Sequence, residues 1–298
     1  MIEVGNNQTL QSEVGRLSNL ILKHASAAFV STRKVDDEWE RLNYSNRPDY
    51  DSAREEYDRF AAHFSSAGIE IHFLPENDET TLDSIYVRDA SVLCSRGAIM
   101  CRMGKAARRT EPDALELAYK EIGMPIAGRI SGEGLLEGGD VVWLDEETLL
   151  AGQGYRTNAE GIRQLRGIIG NSAEELFVVQ LPHWRGPEDV FHLMSILSPV
   201  DVGKLLVYEP LLPAALHQYL LNRNFKLIMV PENEFESMGC NVLALAPGSC
   251  LMMSGNPITR ARLEAAGISV TEYEGTEIST KGAGGPTCLT RPVFRDRV

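Results

Sequence analysis

Five short apolar runs along the chain each begin with a polar or reactive residue. The runs are DASVL, DVVWL, HLMSIL, NVLAL and CLTRPVF, and they begin at Asp89, Asp140, His192, Asn241 and Cys288. The steps between these residues are 51, 52, 49 and 47 residues. A nearly constant period of this length is typical of a repeated supersecondary unit. If the units close into a ring, the five residues meet at one end of it, where an acid, a histidine and a cysteine would form a catalytic site.

Each unit is predicted to contain a strand, a turn, a second strand, a helix and a third strand. In the copy that starts at Asp140, the acidic turn DEE separates two apolar runs, as in a hairpin. The helix that follows has apolar residues at spacings of three and four, with Asn158 at its N-cap and Gly170 just past its end. The fifth copy is split: CLTRPVF near the C-terminus is expected to join SAAFVS, a helix in YDSAREEYDRFAAHFSSAG and the strand IEIHFLPE near the N-terminus.

These units predict a single α/β domain over residues 1–298 in which the five copies close into a ring. Closure would leave fewer unpaired strand edges. The alternative is an open α/β sheet of βαβ units. Hairpins that alternate with single helices disfavour that alternative. Gly282, Gly284 and Gly285 precede a strand rather than a helix, so they do not match a dinucleotide-binding loop.

Composition narrows the classes of partner. The formal net charge of −13 and the pI of about 5.0 argue against nucleic acid and favour a small cationic ligand, although many proteins are acidic for solubility alone. No stretch approaches the ~20 apolar residues that span a bilayer. The first residues lack a basic-then-apolar signal pattern, and five cysteines without close pairs favour neither disulfides nor a zinc site. We therefore expect a cytoplasmic protein.

The segment from residue 34 to 52 is long, polar and without clean periodicity. Long loops in compact domains are often lids or binding loops. Trp39, Leu42, Asn43 and Tyr44 would then cover a ligand. A solvated surface loop with one packed aromatic side chain is an equally good interpretation.

Three residues are candidates for chemistry. Cys288 follows a glycine-rich stretch that allows a tight backbone path, although a lone cysteine is more often a structural core residue. His192 opens another unit and has an ordinary pKa near working pH, which suits a general acid or base. Glu137 lies three residues before Asp140, and a carboxylate beside His192 would fix its tautomer and stabilise its charged form.

Two acids and two arginines are candidates for binding. Asp83 and Asp89 are six residues apart, so in an extended stretch both would project to one face. Two carboxylates on one face favour a cation between them, and a planar guanidinium fits them well. They would otherwise be a pair of surface acids. Arg108 and Arg156 follow the first two hairpins, and either could bind a substrate carboxylate.

Together these residues resemble the guanidino-modifying enzymes of the pentein superfamily. The matching segments are DSIYVRD (83–89), EGGD (137–140), GQGYRTN (152–158), HL (192–193), CNVL (240–243) and GGPTCLT (284–290). The similarity is strongest to dimethylarginine dimethylaminohydrolases, in the GG-x-TCL ending and in the span from Asp89 to Arg108. The resemblance implies a five-bladed pseudo-symmetric α/β propeller of repeated strand-hairpin-helix-strand units.

The resemblance also implies roles for individual residues. Cys288 would be the nucleophile, His192 the acid and base, and Glu137 its support. Asp83 and Asp89, within a segment that also carries Tyr86, would bind the guanidinium. Arg108 and Arg156 would hold the amino-acid carboxylate of the substrate. The expected reaction is hydrolysis of a dimethylarginine-like or arginine-like compound through a covalent thiouronium-type adduct, which yields a citrulline-like product and an amine. Neither a metal nor an organic cofactor is implied.

Two positions depart from the methylarginine enzymes. Arg88 stands where those enzymes have an acid, which is more similar to arginine deiminases, and Met194 stands where deiminases usually carry a second acid. Arginine deiminase and amidinotransferase activities therefore stay open. So does a non-catalytic protein that binds cationic amino acids, although binding alone has no need of a thiol. We expect a small cationic guanidino substrate and no nucleic-acid or membrane partner, and a homo-oligomer stays open.

Overall fold

The computed structural model describes residues 7–298. Its strands are β1 (Gln8–Thr9), β2 (Leu17–Leu22), β3 (Glu70–Phe73), β4 (Ser91–Cys94), β5 (Gly97–Met100), β6 (Ile126–Arg129), β7 (Val141–Trp143), β8 (Thr148–Gln153), β9 (Glu175–Gln180), β10 (Leu197–Asp201), β11 (Lys204–Val207), β12 (Lys226–Met229), β13 (Val242–Ala246), β14 (Ser249–Met253), β15 (Ser269–Tyr273) and β16 (Arg291–Asp296). Its α-helices are α1 (Ala25–Ala28), α2 (Thr32–Glu38), α3 (Tyr50–Ser66), α4 (Glu111–Glu121), α5 (Ala159–Ile169), α6 (Ala214–Asn222), α7 (Glu232–Phe235) and α8 (Pro257–Ala265). Among the described residues, none of these helices is long and apolar enough to cross a bilayer.

The strands form five small sheets with one repeated topology. Four sheets have the orders β4-β5-β6, β7-β8-β9, β10-β11-β12 and β13-β14-β15. In each of them the first pair is antiparallel and the second pair is parallel. The fifth sheet, β1-β16-β2-β3, combines both ends of the chain, with β16 antiparallel to β2 and β2 parallel to β3. The predicted hairpin unit and its split fifth copy are therefore confirmed.

Five apolar clusters hold these sheets against one another. One cluster packs Ile21 of β2 against Leu93 of β4. The remaining clusters join the β4 sheet to the β7 sheet, the β7 sheet to the β10 sheet, the β10 sheet to the β13 sheet, and the β13 sheet to the split sheet. Each sheet thus shares its buried surface with two others, which places the start of each unit next to its neighbours.

The expected helix caps are present in the unit that starts at Asp140. The Asn158 side chain accepts a hydrogen bond from the Gly161 amide at the start of α5, which satisfies a backbone donor of the first turn. Gly170 ends α5 with a φ of 54°, a conformation that favours glycine. The local prediction is confirmed here because both ends of the helix carry their own signals.

Part of the split unit was predicted wrongly. The SAAFVS segment contains α1, and the strand that pairs with β16 is LSNLIL in β2. The three residues at the end of β2, Leu20, Ile21 and Leu22, are fully buried, so this longer apolar run supplies the central strand. The His24 side chain accepts a hydrogen bond from the Ser26 amide and so begins a helix instead.

The segment from 34 to 52 is also more regular than expected. Its first residues belong to α2, which the Ser31 side chain caps, and its last residues begin α3, which the Asp49 side chain caps. The irregular part is limited to residues 39–49. The polar caps on both sides explain why a sequence without hydrophobic periodicity still forms helix ends.

Candidate active site

The structure brings most of the predicted residues to one small cavity of about 80 Å³. Its lining includes Asp83, Tyr86, Asp89, Arg108, Arg156, His192 and Cys288. Most of them lie on turns just ahead of the first strand of a unit, not on the strands themselves. His192, for example, caps the short turn Leu193–Ser195, and β10 begins only at Leu197.

His192 is held by Glu137, which is completely buried. The His192 Nε2 donates to Glu137 Oε2 at 2.7 Å. Burial alone would lower the pKa of His192, but the charges of Asp89 and Asp140 and the bond to Glu137 outweigh it and raise that pKa. The same pairing lowers the pKa of Glu137 against the opposing effect of its burial. His192 is therefore kept cationic at neutral pH, with Nδ1 on the side of Asp89, 3.9 Å from Oδ1.

The glycine pair after Glu137 allows this close approach. A Cβ on Gly139 would lie 2.6 Å from His192 Nδ1, and one on Gly138 would lie 2.3 Å from the Arg88 carbonyl oxygen. The Gly139 amide donates to Asp89 Oδ1 at 3.0 Å. A side chain at Gly139 would displace His192 or Asp89, and one at Gly138 would collide with the backbone between Arg88 and Ser91. The two glycines of the EGGD segment thus allow three units of the fold to approach one another closely at the site.

Asp140, the last residue of that segment, fixes the backbone beside His192. Its Oδ1 accepts a hydrogen bond from the Leu193 amide at 3.0 Å. Burial raises the pKa of Asp140 to about 6. Asp140 therefore acts on the site through its neighbours.

Cys288 is half-buried and faces an amide group. The Asn241 Nδ2 donates to the Cys288 Sγ at 3.4 Å. The Asn241 Oδ1 accepts from both the backbone amide and the hydroxyl of Thr287, at 3.0 and 2.8 Å, which fixes which end of the amide points to sulfur. Burial, followed by the charge of Asp89, raises the pKa of the Cys288 thiol, while the Asn241 and Thr287 bonds oppose this rise. The thiol is therefore protonated unless positive charge arrives nearby.

The two binding acids do not lie in an extended stretch, so that part of the prediction was wrong. Asp83 belongs to a short 3₁₀ turn, Leu82–Ile85, and the backbone turns again before Asp89. Both side chains nevertheless line the same cavity. Asp83 forms an ion pair with Lys105 at 2.7 Å, and Asp89 Oδ2 accepts from Arg108 Nη1 at 2.6 Å. Each acid thus already faces a cation.

The two arginines differ in how firmly they are bound. Every guanidinium nitrogen of Arg108 donates to a protein oxygen, from Asp89, Glu111 or the Tyr86 carbonyl. Arg156 has only loose contacts, with Glu137 Oε1 at 3.8 Å and the Asp189 carbonyl at 3.5 Å. Of the two, Arg156 is the one with free donors for a substrate carboxylate. Binding of that carboxylate by Arg108 stays a prediction.

Tyr86 packs against the glycine-rich stretch that leads to Cys288. Its hydroxyl donates to the Ile278 carbonyl at 3.1 Å. A Cβ on Gly282 would lie 2.0 Å from the Tyr86 hydroxyl oxygen, and one on Gly284 would lie 2.3 Å from its ring. Tyr86 thus positions the segment before the cysteine, and a direct contact with substrate stays a prediction.

A second, wider cavity of about 400 Å³ adjoins the first. Both include Asn43, Asp189, Val190, His192, Ala283 and Cys288, so the cysteine and histidine lie between them. The wider cavity is more apolar than the smaller one, because Trp184, Phe191, Met194, Phe235 and Met238 line it. Charged side chains line it as well, namely Arg88, Arg185, Asp189, Glu236 and Lys281. The reacting pair therefore has a charged side and an apolar side.

Two loops border these cavities. Leu42 and Asn43, from the segment predicted as a lid, line the smaller cavity, and the Leu42 carbonyl accepts from Lys105 Nζ at 2.7 Å. The loop from 182 to 191 was not predicted and lines the wider cavity, where Arg185 pairs with Glu236 at 2.7 Å. Its composition, HWRGPEDV, carries the turn residues of an irregular segment, which was the available signal.

Sequence reasoning also missed Lys105, Glu111 and the contact of Asn241 with the sulfur. Burial raises the pKa of Glu111 to about 7 against the opposing effect of Arg108. Lys105 lies on a connection without a strong pattern, so nothing in its surroundings marked it. Asn241 opened one of the five periodic runs, and that position was a usable signal.

Three other residues of the site, Asp89, Glu137 and His192, are candidate metal ligands. Atoms of Asp89, Glu137 and His192 lie within 4.8 Å of one another. However, Asp89 accepts from Arg108, and Glu137 accepts from His192 and from the Lys105 amide. These donors already neutralise the carboxylates, so we keep the prediction that the site works without a metal.

This chain is similar to known proteins over most of its length. The model of the family described as N,N dimethylarginine dimethylhydrolase, eukaryotic, matches residues 26–295. The N(G),N(G)-dimethylarginine dimethylaminohydrolase of Pseudomonas aeruginosa is 28% identical over 248 residues, which cover 83% of this chain and 91% of that protein. An arginine deiminase of Listeria monocytogenes is 27% identical over 257 residues, which cover 72% of this chain and 61% of that protein.

A solved structure shows the same arrangement of the chain. A cysteine-to-serine variant of the Pseudomonas aeruginosa enzyme, complexed with citrulline, superposes with a TM-score of 0.75 and 26% identity, and covers 92% of this chain and 98% of that one. The family match covers four complete units, the part of the split unit that follows β2, and every residue of the site described above. The chain belongs to the dimethylarginine dimethylaminohydrolase family.

Proposed function

We propose that this protein hydrolyses a substituted guanidine, with Cys288 as nucleophile and His192 as acid and base. The observation that carries this proposal is the bond from His192 Nε2 to the buried Glu137. That bond leaves Nδ1 as the nitrogen that can exchange a proton with a group bound near Cys288. A histidine oriented by a carboxylate beside a cysteine is the arrangement that nucleophilic catalysis requires.

The acids and Arg156 would orient the substrate. A cationic guanidinium bound in the smaller cavity would compete with Lys105 and Arg108 for the carboxylates of Asp83 and Asp89. Arg156 would hold the carboxylate at the other end of an amino-acid substrate. Fixing the central carbon of the guanidinium near sulfur supplies much of the rate enhancement.

The reaction would proceed in two steps. The Cys288 sulfur bonds to the central carbon, a C–N bond breaks, and His192 gives a proton to the departing amine. Water then attacks the thiouronium carbon, His192 takes a proton from that water, and the C–S bond breaks. The sum is a guanidine plus water giving a ureido product plus an amine.

The free thiol is disfavoured as a nucleophile in this site. Its raised pKa has two causes, burial and the charge of Asp89. A bound guanidinium places positive charge near the sulfur and lowers that pKa. Substrate binding itself would therefore generate the thiolate.

The wider cavity favours a substrate with an alkylated nitrogen. Met194 is buried in its wall, at the position where a deiminase usually carries an acid. Methyl groups on the departing nitrogen fit an apolar wall, whereas an unsubstituted amine would lose hydrogen bonds there. Arginine deiminase activity is the second candidate. An amidinotransferase would also need to admit a second amine, and the wider cavity has room for one.

The test is a substrate panel combined with intact mass spectrometry. Arginine, methylated arginines, agmatine and simple guanidino acids are incubated with the protein, and ureido product and released amine are measured. We expect the highest kcat/KM with a methylated arginine, and an adduct on Cys288 after an acid quench. Cys288→Ser should bind substrate without turnover. Binding without product or adduct across the panel would instead support a non-catalytic binding protein.

We further propose that the five sheets form a closed ring in one domain, a five-bladed α/β propeller of the pentein type. The cyclic order of the five apolar clusters supports this proposal. A crystal structure would test it by the path of the backbone around the cavity. The lid role of the loop before α3, a cytoplasmic location and a homo-oligomer stay predictions.

A further inference from the structure

A third cavity, with a different charge, lies beside the active site. It is lined by Leu10, Ser12, Glu13, Arg88, Val92, Leu93, Val141, Trp143, Arg291, Pro292, Val293 and Arg295. We call it the arginine cavity. Its volume is about 10 Å³, which is room for about one water-sized particle. None of its lining residues carries a step of the reaction above.

The arginine cavity contains more positive than negative charge. Arg88, Arg291 and Arg295 are all buried in its wall, and Glu13 is the one carboxylate among its lining residues. Burial, together with the charge of Arg88, lowers the pKa of Arg291 to about 10. Burial likewise lowers the pKa of Arg295 to about 10. Three arginines thus face one carboxylate, so two positive charges are unbalanced.

Several donors of these arginines have no protein partner. Arg88 Nη2 donates to Glu13 at 2.5 Å, and Arg295 Nη1 donates to the Gly15 carbonyl at 2.7 Å. Nε and Nη1 of Arg88, and Nε and Nη2 of Arg295, are buried and have no hydrogen-bond partner among residues 7–298. A buried donor without a partner destabilises the folded protein, and the cost is larger when the donor is charged.

Arg291 is the third arginine that lines the arginine cavity, and some of its donors have hydrogen-bond partners. Its Nη1 donates to the Ser91 carbonyl at 3.0 Å, and its Nε donates to the Pro292 carbonyl at 3.3 Å. These are neutral acceptors, so they leave its charge uncompensated. The cavity thus has fewer acceptors and less negative charge than its three guanidinium groups require.

We propose that the arginine cavity binds one small monovalent anion of halide size. Such an ion supplies an acceptor for several N–H groups at once and removes half of the excess charge. The volume excludes sulfate and phosphate. Water would satisfy donors but would leave two buried charges unbalanced, which is costly in a low-dielectric interior.

This anion would also stabilise the floor of the active site. The Arg88 amide donates to the Cys288 carbonyl at 3.2 Å, and Arg88 directly precedes Asp89. The anion would fix the Arg88 side chain, while the backbone amide of the same residue donates to the carbonyl of the nucleophile Cys288. It acts by position and contacts neither the substrate nor the reacting atoms.

The direct test is anomalous diffraction from crystals of the full chain grown without halide and soaked in sodium bromide. We expect one anomalous peak in the arginine cavity, within hydrogen-bond distance of Arg88 and Arg295. Ordered water there without a bromide peak, at a bromide concentration of about 0.5 M or more, would overturn the proposal. Neither outcome bears on whether Cys288 hydrolyses a guanidine.

A solution test uses thermal unfolding in sodium chloride or bromide against sodium sulfate at equal ionic strength. A saturable rise in melting temperature of about 3 °C is expected with halide only. Arg295→Met should lose this rise, and Arg33→Met should keep it, since the Arg33 side chain is 91% exposed. An equal rise in the Arg295→Met variant would contradict the proposal. If that variant does not fold, the crystal result decides.

Discussion

Two neighbouring regions of this protein gather buried groups of opposite charge. The active site gathers five buried carboxylates, from Asp83, Asp89, Glu111, Glu137 and Asp140. The arginine cavity gathers three buried guanidinium groups around one carboxylate. The two regions meet at consecutive residues, where Asp89 faces the substrate cavity and Arg88 faces the arginine cavity.

The two regions differ in how their buried charges are neutralised. In the active site, His192, Arg108 and Lys105 neutralise the acids through short contacts. A cationic substrate would compete with Lys105 and Arg108 for their carboxylates, while the His192–Glu137 contact stays in place. In the arginine cavity, two arginines keep donors that the protein does not use. We therefore expect the first region to exchange a cation during turnover and the second to hold an anion.

The largest effect is expected from Glu137→Gln, which removes the carboxylate that orients His192. The amide keeps the shape but neither holds the imidazolium nor raises its pKa. We expect kcat to fall about 1,000-fold, with substrate binding to the Cys288→Ser background changed little. Steady-state kinetics and calorimetric titration measure the two effects. Glu147→Gln, in the exposed turn before β8, is the matched control and should keep wild-type kcat.

The second effect concerns the arginine cavity. Glu13→Gln removes its one carboxylate and leaves three buried positive charges. We expect the free energy of unfolding to fall by about 3 kcal/mol, as measured by urea denaturation. The double variant Glu13→Gln/Arg88→Met should lose less than Glu13→Gln alone, because it also removes a buried charge. Equal losses in both variants would mean that charge balance is not what Glu13 provides.

These two regions were predicted unequally from the sequence. The positions of Cys288, His192, Glu137 and Asp89 followed from periodicity, because each stands at or just before the same place in a repeated unit. Arg88 was noted only as a departure in substrate recognition. Its actual partner, Glu13, lies 75 residues away in an irregular N-terminal segment, and no local pattern links the two.

The pairing of side chains inside the site could likewise not be predicted from the sequence. Arg108 was expected to hold a substrate carboxylate, but three acceptors within the protein converge on it. Which charges pair depends on rotamers and burial, and these depend on the packing of the whole site. Backbone periodicity reports where a residue stands, and it does not report what its side chain contacts.

The third effect is a pH dependence of stability that arises from His192. Its pKa is raised in the folded state by nearby carboxylates. A raised pKa contributes stability fully below the unfolded value of about 6.5 and loses it as pH rises through the folded value. The stability advantage of wild type over His192→Gln should therefore shrink as pH increases above about 6.5. Urea unfolding of both proteins at several pH values measures this, and an advantage that grows with pH would contradict the assignment.

The smallest effect tests the apolar side of the reacting pair. Met194→Asp places a carboxylate in the wall of the wider cavity, beside His192 and Cys288. A carboxylate attracts an unsubstituted, hydrogen-bonding amino group and disfavours methyl groups. We expect the ratio of kcat/KM for arginine to that for dimethylarginine to rise about tenfold. This change corresponds to about 1.4 kcal/mol of differential transition-state binding.

The control for this substitution keeps the apolar wall. Met194→Leu conserves volume and polarity and should leave the ratio within about twofold of wild type. Because burial would raise the pKa of the carboxyl group that Met194→Asp introduces, its effect on the ratio should grow as pH increases. A ratio that does not change in Met194→Asp would mean that the departing nitrogen lies on the charged side of Cys288. The wider cavity would then serve as the path for water and would not hold the departing amine.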